Sequence, residues 1–196
     1  MFDIVEIIKA AGYLGLFAII FIESGLFFGF FFPGDSLLFT AGFLASQGYL
    51  SLPVLIAVTF TAAVSGVIVG YAFGKKVGPS IFKKEDSFFF HKDHLERTKV
   101  FYKAHGPKTI VLARFLPVIR TFAPIFAGIG HMHYGTFIFY NIVGGLFWTA
   151  GLCGVGYFLG STVPNIDHYL IPIILGIIVV SLLPALREFL MLRRRK

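Results

Sequence analysis

Four charged residues stand alone inside long apolar stretches. Glu23 and Asp35 are the only ones between residues 10 and 74, and Arg114 and Arg120 the only ones between 109 and 166. A charge at bilayer depth costs about 2.5–3.5 kcal/mol on insertion scales, so such residues are expected to face a partner or a watery cavity. One half of the chain supplies acids and the other supplies bases. Burial disfavours a charged carboxylate and a neighbouring arginine favours it, so Glu23 and Asp35 can load and release protons as access changes. A guanidinium stays charged and presents a planar fork that suits phosphate oxygens, which makes Arg114 and Arg120 the expected head-group ligands. An empty site would rest as arginine–carboxylate pairs. In the plainer alternative, the four charges are structural ion pairs and nothing more. No nucleophile–base set accompanies the arginines, so no catalytic residue is assigned and no enzyme activity is expected.

The chain that must position these groups has 196 residues, of which 57% are hydrophobic and 14% charged, with a mean hydropathy of +0.83. A soluble domain of this size could not hide that much apolar surface. Apolar blocks at 10–74, 109–166 and 168–186 each reach or exceed the roughly 20 residues that cross a hydrocarbon core. One all-α polytopic membrane domain is therefore expected. Asp3 and Glu6 stand where a signal peptide would be basic, so the N-terminal segment reads as retained. The single Cys153 permits no internal disulfide and no zinc-type spacing, and neither metal nor cofactor is expected.

The net charge of +7 does not point to nucleic acid, because the basic residues flank the apolar blocks. Residues 75–108 carry nine Lys or Arg against four Asp or Glu, and residues 187–196 carry five against one. The positive-inside rule places both segments in the cytoplasm. Two segments on one side must be joined by an even number of crossings, whereas three apolar stretches lie between them. The first, 109–130, contains Pro117 and Pro124 and is predicted to be a re-entrant hairpin. Pro33-Gly34-Asp35 interrupts the earlier block in the same way and predicts a second hairpin. A full crossing is expected over 52–74.

The two halves also repeat. Pro33 matches Pro117 at an offset of 84, while Ala41-Gly42 matches Ala127-Gly128 and Gly70-Tyr71-x-x-Gly74 matches Gly156-Tyr157-x-x-Gly160 at 86. Gly74 runs into the basic loop and Gly160 into STVPNID, which has no Lys or Arg, so the repeat is expected to be inverted. Inverted repeats with broken helices are a transporter architecture with the site at the repeat interface. The expected layout is repeat 1 over 11–74, a cytoplasmic loop over 75–106, repeat 2 over 107–160 and a final transmembrane helix over 168–190. If the arm before Pro33 spans fully, the N-terminus is cytoplasmic; if residues 1–11 lie on the interface, it is outside.

Asn141, inside a predicted span, is expected to make a helix–helix hydrogen bond or to line the cavity. Trp148 and the phenylalanines are read as lipid-facing or packing groups. His131-x-His133 has no third ligand nearby and is read as interfacial hydrogen bonding rather than metal ligation. His91, His94 and His105 fall in the basic loop, where solvated histidine is the expected state.

These features together resemble the DedA family of bacterial membrane proteins, also described as the SNARE-associated or VTT domain, over nearly the whole chain. The marks are Glu23 twelve positions before the acid of Phe31-Phe32-Pro33-Gly34-Asp35, then Ala41-Gly42, then Gly70-Tyr71-x-x-Gly74, and finally Arg114-Phe115-x-Pro117-x-x-Arg120. The resemblance implies two opposed re-entrant hairpins, a place in the bacterial cytoplasmic membrane and a role in moving lipids between leaflets. Glu23, Asp35, Arg114 and Arg120 match the acidic and arginine pairs thought essential in the family, and some members look like transporters that return undecaprenyl phosphate to the cytoplasmic leaflet. The expected function is thus proton-motive-force-coupled transport of an anionic polyprenyl lipid. The expected partners are that lipid and protons, no nucleic acid, and a second copy of the chain in a homo-oligomer. The alternatives are a phosphatidylethanolamine flippase or uncoupled scramblase, and a proton-coupled transporter of an ion or small solute.

Overall fold

The computed structural model describes residues 4–25, 34–81, 108–114, 117–163, 172, 175 and 176. Pro33, the basic loop with its three histidines and most of the expected final helix lie outside these. Six helices are described: α1 (Ile4–Gly25), α2 (Gly34–Ser46), α3 (Leu52–Ile81), α4 (Lys108–Ala113), α5 (Pro117–Ile129) and α6 (Tyr134–Thr162). There is no strand among the described residues.

Two of them are long and apolar enough to cross a membrane, 26 residues over Leu52–Val77 and 29 over Tyr134–Thr162. At 1.5 Å per residue these reach about 39 and 43 Å, more than the roughly 30 Å of hydrocarbon, and so have length to spare for tilt. α3 does not stop at Gly74, where the repeat boundary was expected, but continues through the exposed Lys75 and Lys76 to Ile81. Both lysines are good helix formers, and the ladder has no reason to end where the hydropathy does.

The short helices behave differently. α2 and α5 have 13 residues each, about 20 Å of helix, which is too short for a crossing. α2 is buried at every position from Gly34 to Ala45 except Asp35, as expected of a helix that is apolar all round. Pro117 opens α5, where its fixed φ suits the first turn and its missing N–H is not needed. Pro124 was expected to break the hairpin, and it does not. α5 runs through it to Ile129, losing only the bond from residue 124 to the Arg120 carbonyl, and packing against α3 holds the helix together. α1 is kinked at Gly12, whose φ of 56° favours a glycine.

The packing is crosswise. α2 of the first half lies on α6 of the second, with Gly42 against the Cys153 carbonyl and Gly156 against that of Phe39. α5 of the second half lies on α3 of the first, with Gly128 against the Tyr71 carbonyl and Gly74 against that of Ile125. Gly42 and Gly128, matched at an offset of 86 in the sequence, each seat a short helix on a carbonyl of the other half's long helix. Each short helix meets the other half's long helix backbone to backbone, which only small residues allow.

Candidate functional site

The four isolated charges are all brought into the interior by this crosswise packing. Glu23 comes from the last turn of α1 and Asp35 from the first turn of α2. Arg114 follows α4, and Arg120 lies in the first turn of α5. Glu23 is 0%, Arg114 5% and Arg120 7% exposed, so solvent screening offers them little.

Arg120 is the centre. Its Nη2 forms an ion pair with Glu23 Oε1, and its Nη1 donates to Asp35 Oδ1 at 2.8 Å. One guanidinium therefore bridges two carboxylates carried by two different helices of the first half. Among the described residues nothing donates a hydrogen bond to Glu23 Oε2, although it is fully buried. What it meets instead is the start of α2, for a Cβ placed on Gly34 would fall on the Glu23 carboxylate. Gly34 is glycine because the carboxylate occupies the space of its side chain, and a helix N-terminus is a favourable neighbour for a negative charge. Gly34→Ala is expected to push Glu23 off Arg120 and to abolish function while α2 itself stays helical. Retained activity with an unchanged unfolding temperature would show that the carboxylate has room to move.

Arg114 sits apart from the acids. Its Nη2 donates to Asn141 Oδ1 and, at 3.3 Å, to the Asn141 carbonyl, while Asn141 Nδ2 donates to the Val64 carbonyl at 3.1 Å. Gly144 and Gly145 leave the groove on α6 in which the side chain lies, since a Cβ on Gly144 would come within 3.0 Å of Arg114 Cδ. Among the described residues Arg114 Nε has no acceptor and no carboxylate pairs with this guanidinium. The two arginines are thus not equivalent: one is neutralised by acids and the other is held by a neutral amide.

Trp148 was expected to be a packing or lipid-facing ring. It is 2% exposed, its Nε1 donates to Asp35 Oδ1 at 2.8 Å, and the Arg120 guanidinium carbon lies 5.0 Å from its ring centroid. Asn141 and Trp148 are seven residues apart on α6, two turns or about 10 Å, so one face of this helix carries both arginines. A signal for Trp148 did exist in the sequence: a buried indole N–H needs an acceptor, and an apolar stretch contains few side chains that can serve. Outside this site, Tyr71 donates to the Met132 carbonyl at 2.6 Å and ties α3 to the α5–α6 turn.

A helical membrane domain with buried acids of one half closed on an arginine of the other defines the class. Residues 32–158 match the VTT domain. The chain is 44% identical to Protein DedA of Escherichia coli (strain K12) over 184 residues, covering 93% of this chain and 84% of that one. It is 48% identical over 168 residues to an uncharacterized membrane protein of Mycobacterium leprae (strain TN), covering 86% and 75% of the two chains. It is also 33% identical over 150 residues to the inner membrane protein YqjA of Escherichia coli (strain K12), covering 76% and 68%. No solved structure matches. The chain belongs to the DedA family of VTT-domain membrane proteins.

Proposed function

We propose that this protein is a proton-coupled transporter of a lipid with an anionic head group, and that its cargo is undecaprenyl phosphate recycled across the bacterial cytoplasmic membrane. The observation that carries this reading is the single Arg120 guanidinium shared by two buried carboxylates. With both acids ionised the three groups sum to −1, and with one proton bound they sum to zero. A phosphate that reaches Arg120 displaces a carboxylate, and the displaced carboxylate takes up a proton rather than remain a bare charge in an apolar interior. Binding of the anion and uptake of the proton are then one event. Arg114, which among the described residues has neither a carboxylate partner nor an acceptor for its Nε, offers the head group its first contact, as its flat guanidinium suits a phosphate oxygen.

The crosswise seating of each short helix on the other half's long helix supports an inverted repeat, in which α1–α2 and α4–α5 are re-entrant hairpins meeting between the two long helices. In this arrangement the charge of residues 75–108 and 187–196 puts both segments on the cytoplasmic side.

The test is translocation of labelled undecaprenyl phosphate between leaflets of proteoliposomes, with and without a pH gradient. Gradient-stimulated transport is expected in the wild type and its loss in Glu23→Gln, by at least about tenfold in rate. Gradient-indifferent movement of phosphatidylethanolamine that survives Glu23→Gln would instead establish an uncoupled scramblase with structural ion pairs.

A further inference from the structure

We propose that Trp148 is a positioning residue, an indole that holds Asp35 in place while the carboxyl group gains and loses its proton; this rests on the coupled-transport reading. Two donors converge on one oxygen, since Trp148 Nε1 and Arg120 Nη1 each lie 2.8 Å from Asp35 Oδ1. They differ in what protonation does to them. The bond from Arg120 is charge-assisted and weakens when the carboxylate is neutralised, freeing the guanidinium for another anion. Indole is an uncharged donor with no acceptor role, and its bond persists because a protonated carboxyl group still offers a carbonyl oxygen. Oδ1, on which both donors converge, is the oxygen that stays an acceptor, as the carbonyl of the protonated group.

The ring serves Arg120 as well. With the guanidinium carbon 5.0 Å from its centroid, Trp148 gives the cation a face to rest on while its carboxylate partners change. Among the described residues, the groups gathered around Asp35 include members of three other helices. They are Glu23 from α1 through the shared guanidinium, Arg120 from α5 and Trp148 from α6, with Arg114 further along the same face of α6. α3 packs here too, but its charged residues in the described range, Lys75 and Lys76, are exposed near its far end. Asp35 is the group of this set that bonds the indole, so the indole senses its charge directly.

Trp148 is the single tryptophan of the chain, so the protein's intrinsic emission comes from this site alone when excited where tyrosine does not absorb. Full-length protein in proteoliposomes is expected to show a pH titration of tryptophan emission that is abolished in Asp35→Asn. Trp148→Phe keeps an aromatic face and loses the N–H; its transport rate is expected to fall at least about tenfold, with half-saturating lipid concentration within about twofold of wild type. A pH titration that persists unchanged in Asp35→Asn would overturn the proposal, as would full-rate transport by Trp148→Phe. If the wild type moves no lipid under a gradient, the transporter reading fails by itself, and the Asp35 dependence of the emission still decides whether the indole follows the carboxyl group.

Discussion

Arg120→Ala is expected to be the most damaging single substitution in the protein, destroying transport and destabilising the fold together. Removing one partner of a buried ion pair leaves its mate uncompensated at a cost of about 3–5 kcal/mol. Here two mates are left, Glu23 and Asp35, with one of them wholly inaccessible to water. The loss should appear as a marked fall in the unfolding temperature of the purified protein in detergent. Stability should return when the acids are neutralised in the same chain, as Glu23→Gln with Asp35→Asn, while transport stays absent. A single Arg120→Ala variant as stable as wild type would mean that water reaches the carboxylates and that the site is far more open than its burial indicates.

The second large effect concerns the packing that builds the site. Gly42→Val is expected to separate α2 from α6, because even a Cβ at this position falls on the Cys153 carbonyl, a backbone atom that cannot swing aside. Overpacking of a core typically costs about 1–3 kcal/mol, and a clash with backbone belongs at or above the top of that range. α2 carries Asp35 and α6 carries Trp148, so the variant should lose the Asp35–Trp148 hydrogen bond as well as stability. Thermal unfolding and the emission of the lone tryptophan check the two losses separately. Gly151→Val is the control, since nothing lies within 4 Å of a Cβ there; it should unfold as wild type does. Wild-type unfolding and emission in Gly42→Val would show that the helices have slack.

Much of this arrangement is legible in the amino-acid sequence. Isolated charges in apolar sequence have few places to go, so the gathering of Glu23 and Asp35 with Arg120 follows from the cost of leaving them in lipid. The matched Ala-Gly and Gly-Tyr-x-x-Gly segments disclose a repeat, though not that each long helix would receive the other half's short helix. Pairing was beyond sequence reach: two acids and two arginines allow several combinations, and only packing sends both acids to Arg120 and Arg114 to Asn141. Trp148 was hidden by company, since aromatic residues make up 17% of the chain and a working indole looks like any packing ring. Pro124 misled because the rule for proline describes one lost hydrogen bond, and a helix well packed on its neighbour survives that loss.

The crosswise seating of the short helices also sets a schedule for making the protein. Asp35 leaves the ribosome 85 residues before Arg120, an interval of roughly 4 to 17 s at about 5–20 residues per second. Through that interval the first half holds two carboxylates whose guanidinium does not yet exist, and a short helix whose seat on α6 has not been synthesised. The first half therefore cannot close its site before the second has been made, and through that interval its two carboxylates need protons, water or another partner.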